Sequence, residues 1–303
     1  MIDSLDNDIV IRFASYLHSQ DLVNLSLTCR RFGSSNTDSL SLMEDTAYQI
    51  ICNAKEHEKE ALPKLANQTY IELYSELEKY REPRVFDQLI GEDLCYIDND
   101  KSHIINNRSG EPGVDYITLR SSTAICSQNV MRAGKHYATF TISDYPDDHI
   151  RIGVIRPLPN LWWTESFDPM LKEVSFDEKD YDYCHYNRLQ RTRTERRGDS
   201  KVNYCALDVV DPELLFVSTR SGLNRCCWSD FDETNTYELE VTEECSYKIG
   251  MLLDLEAGTL TVYNNGCKTG VIKDGLSGEY CWCASIWSNG DSVRIEKGQI
   301  PTD

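Results

Sequence analysis

Cysteine, histidine and carboxylate side chains are the groups in this sequence that could do chemistry. The chain holds 12 cysteines and 6 histidines among its 303 residues. No two cysteines form a C-x-x-C pair, and both Cys226-Cys227 and Cys281-x-Cys283 are spaced too closely to be two arms of a zinc site. The motifs of phosphate-binding loops, dinucleotide sites, zinc proteases and serine hydrolases are also missing from the sequence. We therefore expect no catalytic residues, no metal, no cofactor, and reduced cysteines that pack as small apolar groups.

The carboxylates make the chain strongly acidic. Aspartate and glutamate total 50 against 31 lysines and arginines, which gives a formal net charge of -19. Because nucleic acids and anionic membranes bind basic surfaces, we expect neither as a partner. No stretch approaches the roughly 20 apolar residues of a membrane span. The N-terminus is acidic and lacks the basic region of a signal peptide, so a cytoplasmic or nuclear location is expected.

The elements that must position any site change character near residue 85. Before it, apolar residues recur at helical spacing, as with Ile9, Phe13 and Leu17 in a first helix over residues 6–18 with Asp6 as its N-cap. A second helix contains Leu22, Leu25 and Cys29 and ends before a C-terminal Gly33. Further helices are expected at about 38–60 and 69–80, the last stopped by Pro83.

After residue 85, short apolar runs alternate with turn signals. Strands are expected at 116–119, 137–142, 150–155, 214–218, 247–253, 259–263 and 292–296. Asn265-Gly266 is a strong hairpin signal, and Ala257-Gly258 is another turn. Strands at this density with no helical pattern between them predict an antiparallel β-sandwich. In the strand that contains Trp282, Cys281 and Cys283 would share the opposite face.

The first 33 residues resemble an F-box. The matching positions are Leu5-x-x-Asp8-Ile9-Val10, then Phe13-x-x-Tyr16-Leu17, then the run from Asp21 to Phe32. The chain departs from the family at Asp6, where proline is usual. The resemblance implies docking of a Skp-type adaptor, which joins its partner to a cullin scaffold, through Leu5, Ile9, Phe13, Leu17, Leu22 and Leu25. The same spacing also fits a helical hairpin that packs only on its own domain.

Residues 90–300 resemble a SPRY (B30.2-like) domain, which is a concanavalin-like antiparallel sandwich. The match rests on Ala133 to Phe140, on Ile152-Gly153-Val154, and above all on Tyr247 to Gly266, where a Gly-x-x-x-Asp rhythm leads through a Gly turn to an aromatic residue and Asn-Gly. Ala138-Thr139 replaces the family's usual Trp-Glu. The polar stretch 162–203 interrupts the pattern.

Since SPRY domains bind proteins or peptides through loops at one end of the sandwich, the resemblance implies a target-binding site. The expected contributors are Arg120, Arg156, Trp162, Trp163, Ile286 and Trp287. Trp163 and Trp287 are the expected aromatic anchors, and Arg156 would bind a carboxylate or a backbone carbonyl. Core packing is the alternative for each tryptophan. A cluster of arginines over residues 188–197 fits a solvated loop, a nuclear-import signal or a contact with an acidic peptide.

Together these features predict an F-box at 1–33, a helical spacer at 38–83 and a SPRY-like sandwich at 86–303. The expected function is substrate recognition for a cullin-RING ubiquitin ligase of the SCF type, with an unidentified target protein and no bond chemistry in this chain. One alternative is a protein-interaction module without a ligase role. Another is a carbohydrate-binding or carbohydrate-cleaving β-sandwich, since carboxylates are abundant.

Overall fold

The structure is a computed structural model that describes residues 6–33, 40–91, 93–107, 122–142, 149–157, 202–209, 213–218, 222–227 and 246–301. The chain divides into two compact units, Met1–Glu82 and Pro83–Asp303. We call them the helical unit and the strand unit. The described elements of the first are helices, and those of the second are strands and one short 3-10 helix, Ile97–Asn99, as the change in pattern near residue 85 predicts.

Six helices form the described part of the helical unit. Their bounds are α1 Asn7–Ala14, α2 Ser19–Thr28, α3 Arg30–Gly33, α4 Leu42–Cys52, α5 Glu56–Ala61 and α6 Tyr70–Arg81. Asp6 is the N-cap of α1, as predicted, and its carboxylate accepts a hydrogen bond from the Asp8 amide at 3.1 Å. Thr69 and Glu72 form a capping box at the start of α6.

Three of the expected helices have different bounds in the structure. The first, expected over 6–18, ends at Ala14, so Leu17 lies in the turn after it. The helix expected at 38–60 is two helices, because α4 ends at Cys52 and α5 begins at Glu56. The second expected helix is also split, since Cys29 has an extended backbone that ends α2. Gly33 therefore lies in α3 and does not cap α2.

One hydrophobic core joins all the segments of the helical unit. The buried residues are Val10, Ala14, Leu22, Phe32, Met43, Ala47, Ala54, Ile71, Tyr74 and Leu77. The helices predicted as an F-box contribute the first four, and those predicted as a spacer contribute the others. Neither segment buries its apolar face without the other, so the two fold as one body.

The strand unit contains fourteen described strands. They are β1 Gln88–Ile90, β2 Leu94–Tyr96, β3 His103–Asn106, β4 Ser122–Ile125, β5 Lys135–Ile142, β6 Ile150–Ile155, β7 Val202–Asp208, β8 Glu213–Ser218, β9 Gly222–Cys227, β10 Tyr247–Asp254, β11 Thr259–Asn264, β12 Cys267–Lys273, β13 Cys281–Ile286 and β14 Ser292–Lys297. Six of the expected strands are confirmed, and the seventh, 116–119, lies outside the described residues.

The strands form two seven-stranded antiparallel sheets. Sheet I has the order β1-β4-β13-β6-β7-β8-β9, and sheet II has the order β12-β11-β10-β5-β14-β3-β2. Their inner faces share one core, in which Phe140 of sheet II meets Trp282 of sheet I edge to face at 6.0 Å. This arrangement is the predicted antiparallel β-sandwich.

Four cysteines, Cys126, Cys205, Cys281 and Cys283, are buried as small apolar side chains. The eight cysteines whose side chains the structure describes are all free thiols. Trp282 belongs to the core, whereas Cys281 and Cys283 are buried on the other face of β13, as the strand alternation predicts. Burial raises the pKa of the Cys205 thiol to about 12, so this group stays protonated and unreactive.

Candidate protein-binding sites

One side of α1 is apolar and exposed. Ile9, Phe13 and Tyr16 follow one another at spacing i, i+4, i+7, which places them on one side of the helix and of the turn after it. Their exposed fractions are 44%, 71% and 81%. Val10 and Ala14, on the adjacent side, are buried in the core of the helical unit. We call Ile9, Phe13 and Tyr16 the α1 face. Leu27 of α2 is a further large apolar residue, with 80% of its surface exposed.

The predicted adaptor-binding residues separate into exposed and buried groups. Ile9 and Phe13 are exposed, Leu17 and Leu25 are half-buried against the core, and Leu5 lies outside the described residues. Leu22 is completely buried. Leu22 is therefore corrected from a docking residue to a core residue, because α2 turns it toward α4 and α6. The exposed residues Tyr16 and Leu27 were not among those predicted from the sequence, although Tyr16 continues the spacing of Ile9 and Phe13.

The turn between α1 and α2 is held by α6. The Tyr74 hydroxyl donates to the Leu17 carbonyl at 2.9 Å, and the Glu78 carboxylate accepts from the Ser19 amide at 3.1 Å. The other oxygen of Glu78 lies 2.7 Å from Nδ1 of His18. Burial of Glu78 opposes its ionisation, but these donors outweigh that effect, so the pKa of the carboxyl is lowered. Burial raises the pKa of Tyr74 to about 12.

A second candidate site lies at one end of sheet I, around Trp287. The half-buried indole directly follows β13 and lies under the Arg151 guanidinium, whose carbon is 4.7 Å from the ring centroid. His149 meets the same ring edge to face at 5.5 Å. Asp208 holds both neighbours, at 3.2 Å from Nε of Arg151 and 2.9 Å from Nδ1 of His149. The ring is therefore fixed before any partner arrives.

Asn106 fixes the backbone of the same segment. It is completely buried at the end of β3, in sheet II, and its side-chain amide donates to the carbonyls of Ile286 and Trp287 at 3.4 and 3.3 Å. Its backbone also accepts from the Gly290 amide and donates to the Asp291 carbonyl. Asn106, His149, Arg151 and Asp208 were not anticipated from the sequence. Strand pairing within sheet I brings His149, Arg151 and Asp208 to Trp287, and packing of the two sheets adds Asn106.

Among the predicted target-binding residues that the structure describes, Arg156 lies apart from Ile286 and Trp287. In the pairing of β6 with β13, Ile150 lies opposite Ile286 and Ile155 lies opposite Cys281. Arg156 therefore follows one end of β6 while Trp287 lies at the other, and the seven residues between these positions along the strand correspond to about 23 Å at 3.3 Å per residue. Arg120, Trp162 and Trp163 lie outside the described residues, as does the arginine cluster over residues 188–197.

Arg156 and Ile286 are corrected from target-binding residues to structural residues. Arg156 is completely buried and donates from Nε to the Val202 carbonyl at 3.1 Å and from Nη1 to the Glu279 carbonyl at 3.0 Å. Its guanidinium also lies over the Tyr280 ring at 4.1 Å. Arg156 does bind backbone carbonyls, but they are those of its own chain. Ile286 is completely buried in the core.

A serine, a histidine and an aspartate do meet on sheet II, but not as a nucleophile with its base. Nε2 of His103 lies 3.2 Å from the Ser292 hydroxyl, and Arg294 donates to Nδ1 of His103 at 3.1 Å. Because arginine can only donate, Nδ1 accepts and the ring proton is on Nε2. His103 therefore cannot take a proton from Ser292 through this contact. Asp100 binds Arg294, not the histidine ring.

Neither a metal-binding cluster nor a membrane-spanning helix is present among the described residues. No group of three or more histidine, cysteine, aspartate or glutamate side chains there is placed to hold a metal ion. No helix in the described part of the chain is both long and apolar enough to cross a membrane.

Comparison with known proteins finds similarity only among solved structures. No protein-family model matches the sequence, and no curated protein matches it. The SPRY domain of human HERC1 is 14% identical with a TM-score of 0.40, and the match covers 71% of this chain and 97% of that one. The TRIM65 PSpry domain is 16% identical with a TM-score of 0.37, and the match covers 68% of this chain and 85% of that one. A human SPRY domain is 10% identical with a TM-score of 0.38, and the match covers 70% of this chain and 99% of that one. At these identities and TM-scores the likeness assigns no function to the chain.

Proposed function

We propose that this protein is a substrate-recognition subunit of a cullin-RING ubiquitin ligase of the SCF type. In this proposal the helical unit is an F-box domain that docks a Skp-type adaptor, and the strand unit is a SPRY-like domain that binds a target protein. The chain itself makes or breaks no bond. It raises the effective concentration of a target lysine near the conjugating enzyme.

The exposure of the α1 face is the observation that supports docking of the adaptor. Phe13 and Tyr16 leave 71% and 81% of their surface open, in a unit whose core is otherwise well buried. Large apolar side chains grouped on one side of a helix are characteristic of a protein interface. They also fall within the residues that resemble an F-box, which supports a Skp-type adaptor as the occupant.

Copurification with a Skp-type adaptor tests this half of the proposal. Ile9→Asp with Phe13→Asp places two charges on the α1 face without touching the core, and we expect it to abolish adaptor binding. Leu65→Asp is the matched control, because Leu65 is 45% exposed but lies in the loop between α5 and α6. Retention of the adaptor by the double variant would leave only the role of a protein-interaction module without a ligase.

The proposed binding of a target protein by the strand unit rests on Trp287. A half-buried indole that Arg151 and His149 contact, on a backbone that Asn106 holds, is the kind of aromatic anchor that dominates protein interfaces. We expect Trp287→Ala to remove the specific partner from affinity purifications of the full chain. Val271→Ala, at another exposed apolar residue of the strand unit, is expected to retain it. The partner is then tested as a purified protein by titration. Equal affinity for the wild type and Trp287→Ala would move the site elsewhere.

A further inference from the structure

The N-terminus of α2 is completed by a residue from another helix. The first four amides of a helix have no partner within it, and a serine, threonine, asparagine or aspartate directly before the helix usually supplies one. Here the N-cap is His18, and its side chain makes no capping hydrogen bond. The Ser19 amide instead donates to Glu78, 59 residues further along the chain. The negative charge also suits this end of the helix dipole.

The same face of α6 holds the end of the preceding segment. Tyr74 lies one turn before Glu78, so both side chains point to the same side of α6. The Tyr74 hydroxyl binds the Leu17 carbonyl, and Glu78 binds both His18 and Ser19. Three consecutive residues, the last two before α2 and its first residue Ser19, are therefore each bound by α6. Glu78 is mostly shielded from water, with 22% of its side chain exposed.

We propose that Tyr74 and Glu78 are positioning residues for the adaptor-docking surface. The α1 face ends at Tyr16, directly before the held turn, and Leu27 lies on α2 after it. A partner that contacts both helices requires a fixed angle between them, and the bonds from α6 set that angle. The docking domain is then the whole helical unit, in which α6 is a part of the binding apparatus. The role of the two residues in adaptor binding rests on the proposed function, whereas the fixing of the turn between α1 and α2 by α6 does not.

Two conservative variants test the proposal in the full chain. Tyr74→Phe removes only the hydroxyl, and Glu78→Gln keeps the shape but removes the charge. The controls are Tyr70→Phe on the same helix and Glu56→Gln, where the carboxylate is 82% exposed. Amide hydrogen exchange is measured on the free protein, and affinity for a purified Skp-type adaptor is measured by calorimetry. We expect both variants to lower the protection of the first turn of α2 and to weaken adaptor binding about tenfold, whereas the controls change neither.

The outcomes separate this proposal from the proposed function. If the wild type does not bind the adaptor, the function fails, and exchange in the first turn of α2 alone decides whether α6 fixes the turn. If exchange in that turn is unchanged in both variants, the positioning role is overturned. It is also overturned if protection falls equally in α1, α2 and α4, because the two residues then only stabilise the unit. Tyr74→Phe decides the matter if Glu78→Gln does not fold.

Discussion

Arg132 and Arg156 both bind Glu279, but they do so in different environments. Arg132 forms an ion pair with the Glu279 carboxylate at 2.8 Å, and 36% of its side chain is exposed. Arg156 binds the Glu279 and Val202 carbonyls from a completely buried position. Burial also lowers the pKa of Arg156, although arginine stays charged in either case. Water can therefore replace the ion pair of Arg132, but it cannot replace the buried hydrogen bonds of Arg156.

Replacing these two arginines is expected to have unequal effects. Arg156→Ala removes a donor from each of the Val202 and Glu279 carbonyls, leaves the Val202 carbonyl with the Tyr280 hydroxyl, and opens a cavity beside Tyr280, so the free energy of unfolding should fall by about 3 kcal/mol. Arg132→Ala removes one partly exposed ion pair and should cost less than about 1 kcal/mol. Denaturant unfolding of both variants checks the difference. An equal, small loss in the two variants would contradict a structural role for Arg156.

The hairpin between β11 and β12 combines a tight two-residue turn with an irregular edge strand. Asn265 and Gly266 both have positive φ angles, 47° and 81°, which fits a two-residue turn of type I′. β12 is an edge strand, and its register with β11 shifts twice. Lys268 and Lys273 lie on the same strand. Bulges and lysines are common protections against pairing with another chain, so this edge is poorly suited to strand addition.

Two glycines of this hairpin form a matched pair for testing the turn. A Cβ atom added at Gly266 or at Gly270 would meet nothing within 4 Å, so neither substitution causes a clash. Gly266 alone has a positive φ. Gly266→Ala should therefore lower the stability of the strand unit by about 1 kcal/mol, whereas Gly270→Ala should leave it unchanged or slightly higher. Thermal unfolding distinguishes the two, and equal midpoints would show that the turn relaxes.

The link between α5 and α6 predicts a pH dependence. Arg81 donates to both carboxylate oxygens of Glu58 at 2.8 and 2.9 Å, and the Lys55 amide adds a third bond. The hydrogen bonds from Arg81 are the main reason why the pKa of Glu58 is lowered to about 2, against the opposing effect of burial. A carboxyl whose folded pKa is lower than its unfolded pKa favours folding when ionised. Its contribution is complete above the ordinary pKa of about 4.5 and is lost as the pH falls toward 2.

Glu58→Gln removes this titration. The variant should be less stable than the wild type by about 2 kcal/mol at pH 7, and the difference should shrink steadily between pH 4.5 and pH 2. Glu56→Gln, in the same helix but exposed, is the control and should follow the wild type. Urea unfolding at a series of pH values, followed by the helical circular dichroism signal, provides the measurement. A difference that does not vary with pH would show that the stabilisation does not depend on the charge.

The two units of the whole molecule each contain a complete core. The helical core draws on five of the six helices and on Ala54 between α4 and α5, and the strand core draws on both sheets. Counted from the sequence, residues 1–82 hold 14 acidic and 8 basic side chains, a net charge of -6. The remaining residues hold 36 acidic and 23 basic ones, a net charge of -13, and together the units account for the total of -19. Both units share the acidic character.

Fragments cut between Glu82 and Pro83 should fold separately. Each would retain its own core, so residues 83–303 should show the cooperative unfolding transition expected of a folded domain. Deletion of residues 1–35 is expected to act differently, because it removes Val10, Ala14, Leu22 and Phe32 from the helical core and should unfold α4 to α6. Circular dichroism and calorimetry of the two fragments test this expectation. Loss of the transition in residues 83–303 would make the chain a single cooperative body.

Local patterns in the sequence determined most of the elements. Alternation and apolar runs identified β5, β6, β10, β11 and β14, and the N-cap Asp6 and the Asn265-Gly266 turn were correct because each depends on neighbouring residues alone. The strands β1 to β4 were missed, since runs of three or four residues carry too little periodicity. The longer strands β7, β9 and β12 were missed as well. The break at 53–55 was missed because an apolar stripe can continue through a short interruption.

Only the tertiary structure decided which of the apolar and charged residues face a partner. The spacing of Ile9, Phe13, Leu17 and Leu22 is equally good for a core and for an interface, and α4 and α6 bury Leu22 while leaving Phe13 exposed. Arg156 and Trp287 are both near the ends of central strands, but antiparallel pairing places them at opposite ends of sheet I. The sequence alone determined the helical and strand units, because periodicity is a local property. Exposure was decided by packing between segments that are distant in the chain.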